Sequence, residues 1–239
     1  MHTLEIFLYI VFPYLCLTVF TIGHAYRYIV DRYNWTARSS EFLEKRTLRL
    51  GSILFHWGIL LTLVGHAGGL LIPQRIFDSV GISAQSHLAI AYWTGLAAGL
   101  AAFAGALLLL RRRLTNARVR AVNTVNDTVT IGALVLVIGA GLFNVAFGHY
   151  NVLPTLAPWI RSILTLTPDA TLMRDVPLSY KIHLLGALAL LGFSPFSRLV
   201  HIWSAPLFYF FRSRIVYRRL TPGPAGAPTA INPAPGGKE

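Results

Sequence analysis

The chain has a single cysteine, Cys16, among its 239 residues. One thiol excludes intramolecular disulfides, cysteine-based zinc sites and iron–sulfur clusters within this chain. Charge is also scarce: charged residues make up 13% of the sequence against 54% hydrophobic residues, and acidic residues number only 9. This composition, with a mean hydropathy of +0.57, lies outside the range of soluble domains and indicates a membrane protein.

Because charge is scarce, long apolar stretches follow one another along the chain. Five of them provide the about 20 helical residues that cross a hydrocarbon core of about 30 Å, and helices satisfy backbone polar groups internally where water is absent. The first begins near Met1 without a basic leader region, so we expect a retained span and not a signal peptide. The sequence predicts an all-α integral membrane protein, a five-transmembrane-helix bundle with spans at about 4–29, 50–73, 88–110, 127–149 and 179–211.

The basic residues lie mainly on one side of these spans. They cluster between spans one and two, between spans three and four, and after span five, at Arg27, Arg32, Arg38, Lys45, Arg46, Arg49, Arg111, Arg112, Arg113, Arg118, Arg120, Arg212, Arg214, Arg218 and Arg219. The positive-inside rule then places the N-terminus outside, in the periplasm, and the C-terminus in the cytoplasm. Topology accounts for the net charge of +12, and no nucleic-acid partner is predicted.

We predict one domain over residues 1–220 and a disordered Pro/Gly-rich tail over residues 221–239. Small residues in the third span, including Gly95 and Gly99, predict close helix packing. In the longest outside loop, "NVLPTLAPWIRSIL" (151–164) is typical of an interfacial helix with Trp159 at the level of the lipid headgroups.

Four histidines lie inside the second and fifth spans. Since these spans run antiparallel, the histidines pair by depth, His66 with His183 and His56 with His201. The pairs are about 15 Å apart along the second span and about 27 Å apart along a straight fifth span. A kink at Pro195 is expected to absorb part of this difference.

Two functions remain open on these residues alone. In the first, each pair would supply the two axial imidazoles of a b-type haem, and the two stacked haems would carry electrons. Alternatively, the histidines form hydrogen bonds between the helices of a haem-free membrane anchor. A transporter is disfavoured, because the spans contain no buried carboxylate and no inverted repeat.

Two stretches carry a family resemblance, "FHWGILLTLVGHAGGLLIP" (55–73) and "SPFSRLVHIWSAP" (194–206), with support from "NWTARSS" (34–40) and "ARVRA" (117–121). With them the sequence resembles the gamma subunit of respiratory nitrate reductase, a membrane diheme cytochrome b, over roughly residues 5–215. The resemblance implies two haem b groups, a distal one on His66 and His183 and a proximal one on His56 and His201.

The resemblance also implies the reaction and the partners. A quinol, either ubiquinol or menaquinol, would be oxidised near the outer face of the bacterial cytoplasmic (inner) membrane. Electrons would pass from the distal to the proximal haem and then to an iron–sulfur beta subunit, and a molybdenum-containing alpha subunit would reduce nitrate on the cytoplasmic side. A close variant would couple the same haems to another oxidoreductase.

For the quinol site the resemblance points to Gly65, His66 and Gly69, beside the distal haem. The family has a lysine just before the third span, but the three lysines here, Lys45, Lys181 and Lys238, lie elsewhere. His87 is the nearest substitute, with Ser86 or Arg75 as other possible hydrogen-bond donors. Arg198 is expected to pair with an anion, a haem propionate being the candidate and snorkelling to the interface the alternative.

Overall fold

Helix is the only regular structure in residues 3–30 and 42–202, the part of the chain that the computed structural model describes. The predicted tail, the end of the predicted fifth span and the stretch "NWTARSS" lie outside these residues. Four described helices are long and apolar enough to cross a membrane: α1 (Thr3–Val30), α2 (Arg46–Leu71), α4 (Ala84–Thr115) and α6 (Val125–Gly148). The first four predicted spans are thus confirmed as long apolar helices.

Four shorter helices connect or extend these long ones. They are α3 (Gln74–Ser79), α5 (Ala117–Ala121), α7 (Leu156–Leu164) and α8 (Leu178–Phe193). Within the long helices, three π turns occur, at Phe7–Val11, Ala67–Leu71 and Asn144–Gly148. Single π turns are rare in proteins but often lie at functional sites. The π turn Ala67–Leu71 directly follows His66.

The fifth predicted span differs from the expectation. The helix α8 ends at Phe193 and is followed by two 3₁₀ turns, Ser194–Phe196 and Arg198–Ile202, with Ser197 extended between them. The expected break at Pro195 is confirmed, because proline cannot donate the α-helical hydrogen bond. Helix α8 by itself has 16 residues, fewer than the about 20 that span a bilayer. Residues 203–211 lie outside the described part of the chain, so the fifth membrane span stays a prediction.

The long helices alternate in direction and form an open arc. One end, called the α7 end, contains the start of α1 and the end of α2, which meet α7; the other, the α5 end, contains the end of α4 and the start of α6. Helix α2 packs along α4, α4 on α6, α6 on α8, and α8 on α1, whereas α2 and α8 make at most slight direct contact. We call the space between these two helices the α2–α8 gap.

The tightest crossing, between α2 and α4, depends on glycine. A Cβ added at Gly58 would stand 2.7 Å from the Ala98 carbonyl oxygen, and one added at Gly105 would stand 2.8 Å from the Gly51 carbonyl oxygen. Neither backbone can yield without moving a whole helix. The small residues of α4 also serve its other face, where Gly99 lies against Leu142 of α6, which confirms the packing role predicted for it.

The loop helix α7 exists as predicted, but Trp159 does not lie at an exposed interface. Its side chain is only 2% exposed and its indole N–H donates to the Tyr9 carbonyl of α1 at 3.1 Å. A second bond joins the same elements, from the Tyr14 hydroxyl to the Ile163 carbonyl at 3.0 Å. Helix α1 therefore covers the indole and satisfies its one donor, whereas the level of Trp159 relative to the lipid headgroups stays a prediction.

We expect Gly105→Ala to destabilise the protein by about 1–3 kcal/mol, the usual cost of overpacking a closed contact. The thermal unfolding midpoint of the purified protein in detergent measures the effect. Gly132→Ala is the matched control, because a Cβ at Gly132 meets no atom of the described residues within 4 Å. Equal midpoints for the two variants would contradict a closed α2–α4 crossing.

Candidate functional site

The four histidines predicted as haem ligands, two on α2 and two on or just after α8, face one another in two pairs across the α2–α8 gap. The ring centres of His66 on α2 and His183 on α8 are 6.2 Å apart. Those of His56 on α2 and His201, in the 3₁₀ turn after α8, are 6.0 Å apart. The structure thus brings together the two pairs that were predicted from depth.

This separation suits one metal between two imidazoles. Imidazole nitrogens bind metals at about 2.0–2.1 Å and lie about 1.1 Å from their own ring centre, so two rings on opposite sides of a metal have centres about 6.3 Å apart. A direct hydrogen bond between the two rings of a pair is not present among the described contacts. Both pairs therefore have the spacing of axial ligands.

The second ring nitrogen of each histidine is already used. The Nδ1 atoms of all four rings lie 2.5–2.9 Å from backbone carbonyl oxygens, which belong to Ser52, Thr62, Val137 and Arg198 for His56, His66, His183 and His201 respectively. A carbonyl only accepts, so each Nδ1 carries the proton and each Nε2 keeps its lone pair. Metal-binding histidines commonly show this arrangement, which fixes the tautomer and the ring orientation.

The donor set fits a haem better than a bare ion. Among the described residues, no group of three or more His, Cys, Asp or Glu side chains is placed to hold a metal ion. Two imidazoles, however, are what a haem iron needs in its axial positions. Space is available beside them: a Cβ added at Gly65 or Gly68 meets no atom of the described residues within 4 Å.

Sequence reasoning missed the role of Gly141. A Cβ at this position of α6 would stand 2.6 Å from the Cε1 atom of His183. Because Gly141 has no side chain, α6 can approach the imidazole and present the Val137 carbonyl to its Nδ1 at 2.9 Å. No local pattern marks this glycine among the others of the span.

An ionic contact holds the turn that carries His201. The Arg198 guanidinium binds the Asp127 carboxylate in a bidentate manner, through Nε to Oδ1 and through Nη2 to Oδ2 at 2.7 Å. The Arg198 carbonyl in turn accepts the Nδ1 proton of His201. Asp127 therefore positions a histidine that it does not touch.

This contact corrects two expectations. The anionic partner of Arg198 is a protein carboxylate, so a haem propionate is not required for its charge and stays a prediction. Moreover, Asp127 is 4% exposed, so the expectation of no buried carboxylate is wrong at the edge of the fourth span. A sequence signal did exist, since Thr124 and Asp127 form a capping box, whose pattern of Ser or Thr three residues before an acid can be read directly.

A second arginine–carboxylate pair lies at the α5 end, where α4 ends. The buried Arg112 donates to the Glu44 carboxylate at 2.8 Å and to the Glu44 carbonyl at 2.7 Å. The pKa of Glu44 is lowered, first by the Thr47 backbone N–H and then by Arg112. Any stability from this carboxylate is therefore present above its ordinary pKa and is lost as pH falls through the lowered one.

At the α7 end, the predicted quinol-site residues come together around the π turn. His87 is buried, and a Cβ at Gly69 would stand 3.5 Å from its Nε2. The ring stacks on Phe77 with centres 4.2 Å apart, and its Nδ1 lies 2.8 Å from the Gln74 amide oxygen. Arg161 of α7 donates to the Leu70 carbonyl at 2.8 Å and so holds the π turn in place.

The other residues considered for this site have different positions. Ser86 is exposed and bonded to Ser83, and Arg75 is exposed on α3. Sequence reasoning assigned neither Gln74 nor Arg161 to this site. Both act through contacts that join separate helices, which no local pattern indicates.

Comparison with known proteins confirms the resemblance. Residues 5–220 match the family described as nitrate reductase gamma subunit. The chain is 41% identical over 213 residues to the nitrate reductase gamma chain of Bacillus subtilis, covering 87% of this chain and 96% of that one. It is 35% identical over 218 residues to the respiratory nitrate reductase 1 gamma chain of Escherichia coli, covering 89% and 96%. A match of 43% over 214 residues to the nitrate reductase-like protein NarX of Mycobacterium tuberculosis covers 87% of this chain but 33% of that protein. The chain therefore belongs to the nitrate reductase gamma subunit family.

Proposed function

We propose that this protein is the membrane cytochrome b subunit of a respiratory nitrate reductase, which oxidises quinol at the α7 end and supplies electrons to partner subunits at the α5 end. The proposal rests on the two pairs of facing imidazoles, whose ring centres are 6.0 and 6.2 Å apart across the α2–α8 gap. A haem-free anchor needs neither this spacing nor four Nε2 atoms to which no described residue is hydrogen-bonded.

His66 and His183 would hold a distal haem b, and His56 and His201 a proximal haem b. When bound, the two haems would supply one-electron carriers at two depths between a quinol and an iron–sulfur partner. The chain itself fixes the four imidazoles through their Nδ1–carbonyl bonds. Each haem would be held by two imidazoles of the chain, and haems held in this way would carry electrons and would not bind oxygen.

The quinol would bind beside His66, against the glycine-rich π turn and His87. Gly65 and Gly69 leave the backbone accessible there, since missing side chains permit a close approach. Oxidation of one quinol at this end releases two protons on the same side. The electrons leave toward the opposite side, so the reaction would contribute to the membrane potential.

Charge distribution supports the sidedness. The α5 end has Arg111, Arg112, Arg113, Arg118 and Arg120 within or between α4 and α5, and basic residues favour the cytoplasmic side. The complex would thus place the iron–sulfur beta subunit and the molybdenum-containing alpha subunit at this end, with nitrate reduction on the alpha subunit. The protein would be a multi-pass protein of the bacterial cytoplasmic (inner) membrane with a periplasmic N-terminus.

The purified complex is expected to contain two b-type haems per gamma chain, because each imidazole pair completes one iron. A dithionite-reduced minus oxidised spectrum with pyridine haemochrome quantification measures this ratio. It should fall to one haem in His66→Ala, while His149→Ala, at an exposed position, should keep both. Folded protein without haem would exclude the proposal and favour the anchor.

Asp127→Asn is expected to weaken the proximal site selectively, since it removes the charge that holds the turn of His201. The clearest measurement uses a His66→Ala background, in which only the proximal haem remains. There the haem-to-chain ratio should fall below one. Glu44→Gln, which alters the neighbouring arginine–carboxylate pair, is the control, and an equal loss in both variants would contradict a positioning role for Asp127.

Gly69→Leu is expected to raise the KM for quinol by about tenfold or more, a change of about 1.4 kcal/mol or more in binding, because the new side chain fills the space beside His87. Haem content should stay at two, since a Cβ added at Gly69 would meet only His87 among the described side chains within 4 Å. Quinol-dependent nitrate reduction by the assembled complex measures KM, with Gly132→Leu as the control. An unchanged KM in Gly69→Leu would place the quinol elsewhere.

A further inference from the structure

A hydrogen-bonded relay of Gln74 and Asp78 leads to His87 at the α7 end. The Gln74 side-chain nitrogen donates to the Asp78 carboxylate at 2.8 Å and to the Ile82 carbonyl at 3.1 Å. The Gln74 amide oxygen lies 2.8 Å from the Nδ1 atom of His87. These contacts join the two ends of α3 to the first turns of α4.

The groups at the Asp78 end of the relay determine which atom donates and which accepts at each of its hydrogen bonds. A carboxylate and a backbone carbonyl only accept, so the nitrogen of the Gln74 amide must face Asp78 and Ile82. Its oxygen then faces His87, and an amide oxygen also only accepts. Nδ1 of His87 must therefore carry the proton, and in the neutral ring Nε2 is left as an acceptor.

The free acceptor points at the proposed quinol site. Nε2 lies on the side of Gly69, where an added Cβ would be 3.5 Å away, and no described residue donates a hydrogen bond to it. The stack on Phe77 holds the ring against rotation. Because the His87 side chain is largely buried, an acceptor on it that lacks a donor favours a ligand that brings one.

We propose that the Gln74–His87 relay makes the site selective for the reduced, hydroxyl-bearing quinol over the oxidised quinone. A quinol hydroxyl donates a hydrogen bond to Nε2, whereas a quinone carbonyl can only accept and meets a lone pair. Gln74 is a positioning residue and His87 is the group that touches the ligand. The inference rests on the proposed function and adds to it the redox form that is bound and the residues that select it.

The test uses the assembled complex with tetramethylbenzoquinol as substrate and tetramethylbenzoquinone as competitive inhibitor. The quantity compared is the ratio of the quinone Ki to the quinol KM, which should exceed one in the unmodified complex. Gln74→Leu should lower this ratio by about three- to tenfold, the value of one neutral hydrogen bond, because the imidazole is then free to present an N–H at Nε2.

A charge-conserving exchange provides the rescue. In the double variant Gln74→Glu with Asp78→Asn, the new carboxylate accepts from Nδ1 of His87 and from the new amide, so the same tautomer is held. This variant should keep the selectivity ratio, while Gln85→Leu, the same chemical change at an exposed position two residues before His87, should leave it unchanged.

The outcomes distinguish a failure of the relay proposal from a failure of the proposed function. The relay proposal would be overturned if Gln74→Leu retained two haems and the unmodified selectivity ratio. It would also be overturned if the ratio of the unmodified complex were one. Loss of selectivity in both Gln74→Leu and the exchanged variant would also overturn it, since packing alone would then explain the effect. Haem that quinol does not reduce in the unmodified complex would instead overturn the proposed function.

Discussion

An imidazole inside an apolar helix bundle must satisfy two ring nitrogens where water is absent, and this requirement organises the structure. The four histidines of the two facing pairs all have Nδ1 within hydrogen-bond distance of a backbone carbonyl. Two of these carbonyls lie one turn earlier on α2, one lies on α6, and one lies in the 3₁₀ turn of His201. Because an unpaired polar group in lipid is costly, each remaining Nε2 favours a ligand in the α2–α8 gap.

The gap itself is a product of helix packing. Gly58 and Gly105 draw α2 and α4 together until their backbones touch, and α6 then separates α4 from α8. Glycine is needed because lipid provides no hydrophobic force between helices, so their attraction depends on close contact. At the ends, α7 joins α1 to the last turn of α2 through Trp159 and Arg161, while Asp127 holds the chain after α8. The histidine pairs are thus held apart and aligned by contacts distant from their rings.

The two pairs differ in the way the chain supports them, which suits two different tasks. His66 is followed directly by a π turn with adjacent glycines, so backbone and space are open beside it. His201 lies in a turn that an arginine–carboxylate contact fixes. On the proposed function, the first arrangement would admit a quinol, and the second would hold a haem site rigid near the basic end of the bundle.

Much of the fold was accessible from the sequence, because the bilayer imposes length and polarity on each segment. The apolar runs determined the four long helices, the depth of each histidine determined its partner, and Pro195 determined where the fifth helix breaks. The capping box of Thr124 and Asp127 also has a recognisable sequence pattern. These features are local, or depend on one shared axis across the membrane.

Only the tertiary structure decided which side chains meet between helices. It paired Arg198 with Asp127, buried Trp159 under α1, placed Gly141 against His183, and oriented His87 through Gln74. Each of these contacts depends on the rotation and spacing of neighbouring helices, which many side chains set together. Hydropathy and periodicity give the depth of a residue and its face on its own helix, but not which neighbour covers that face.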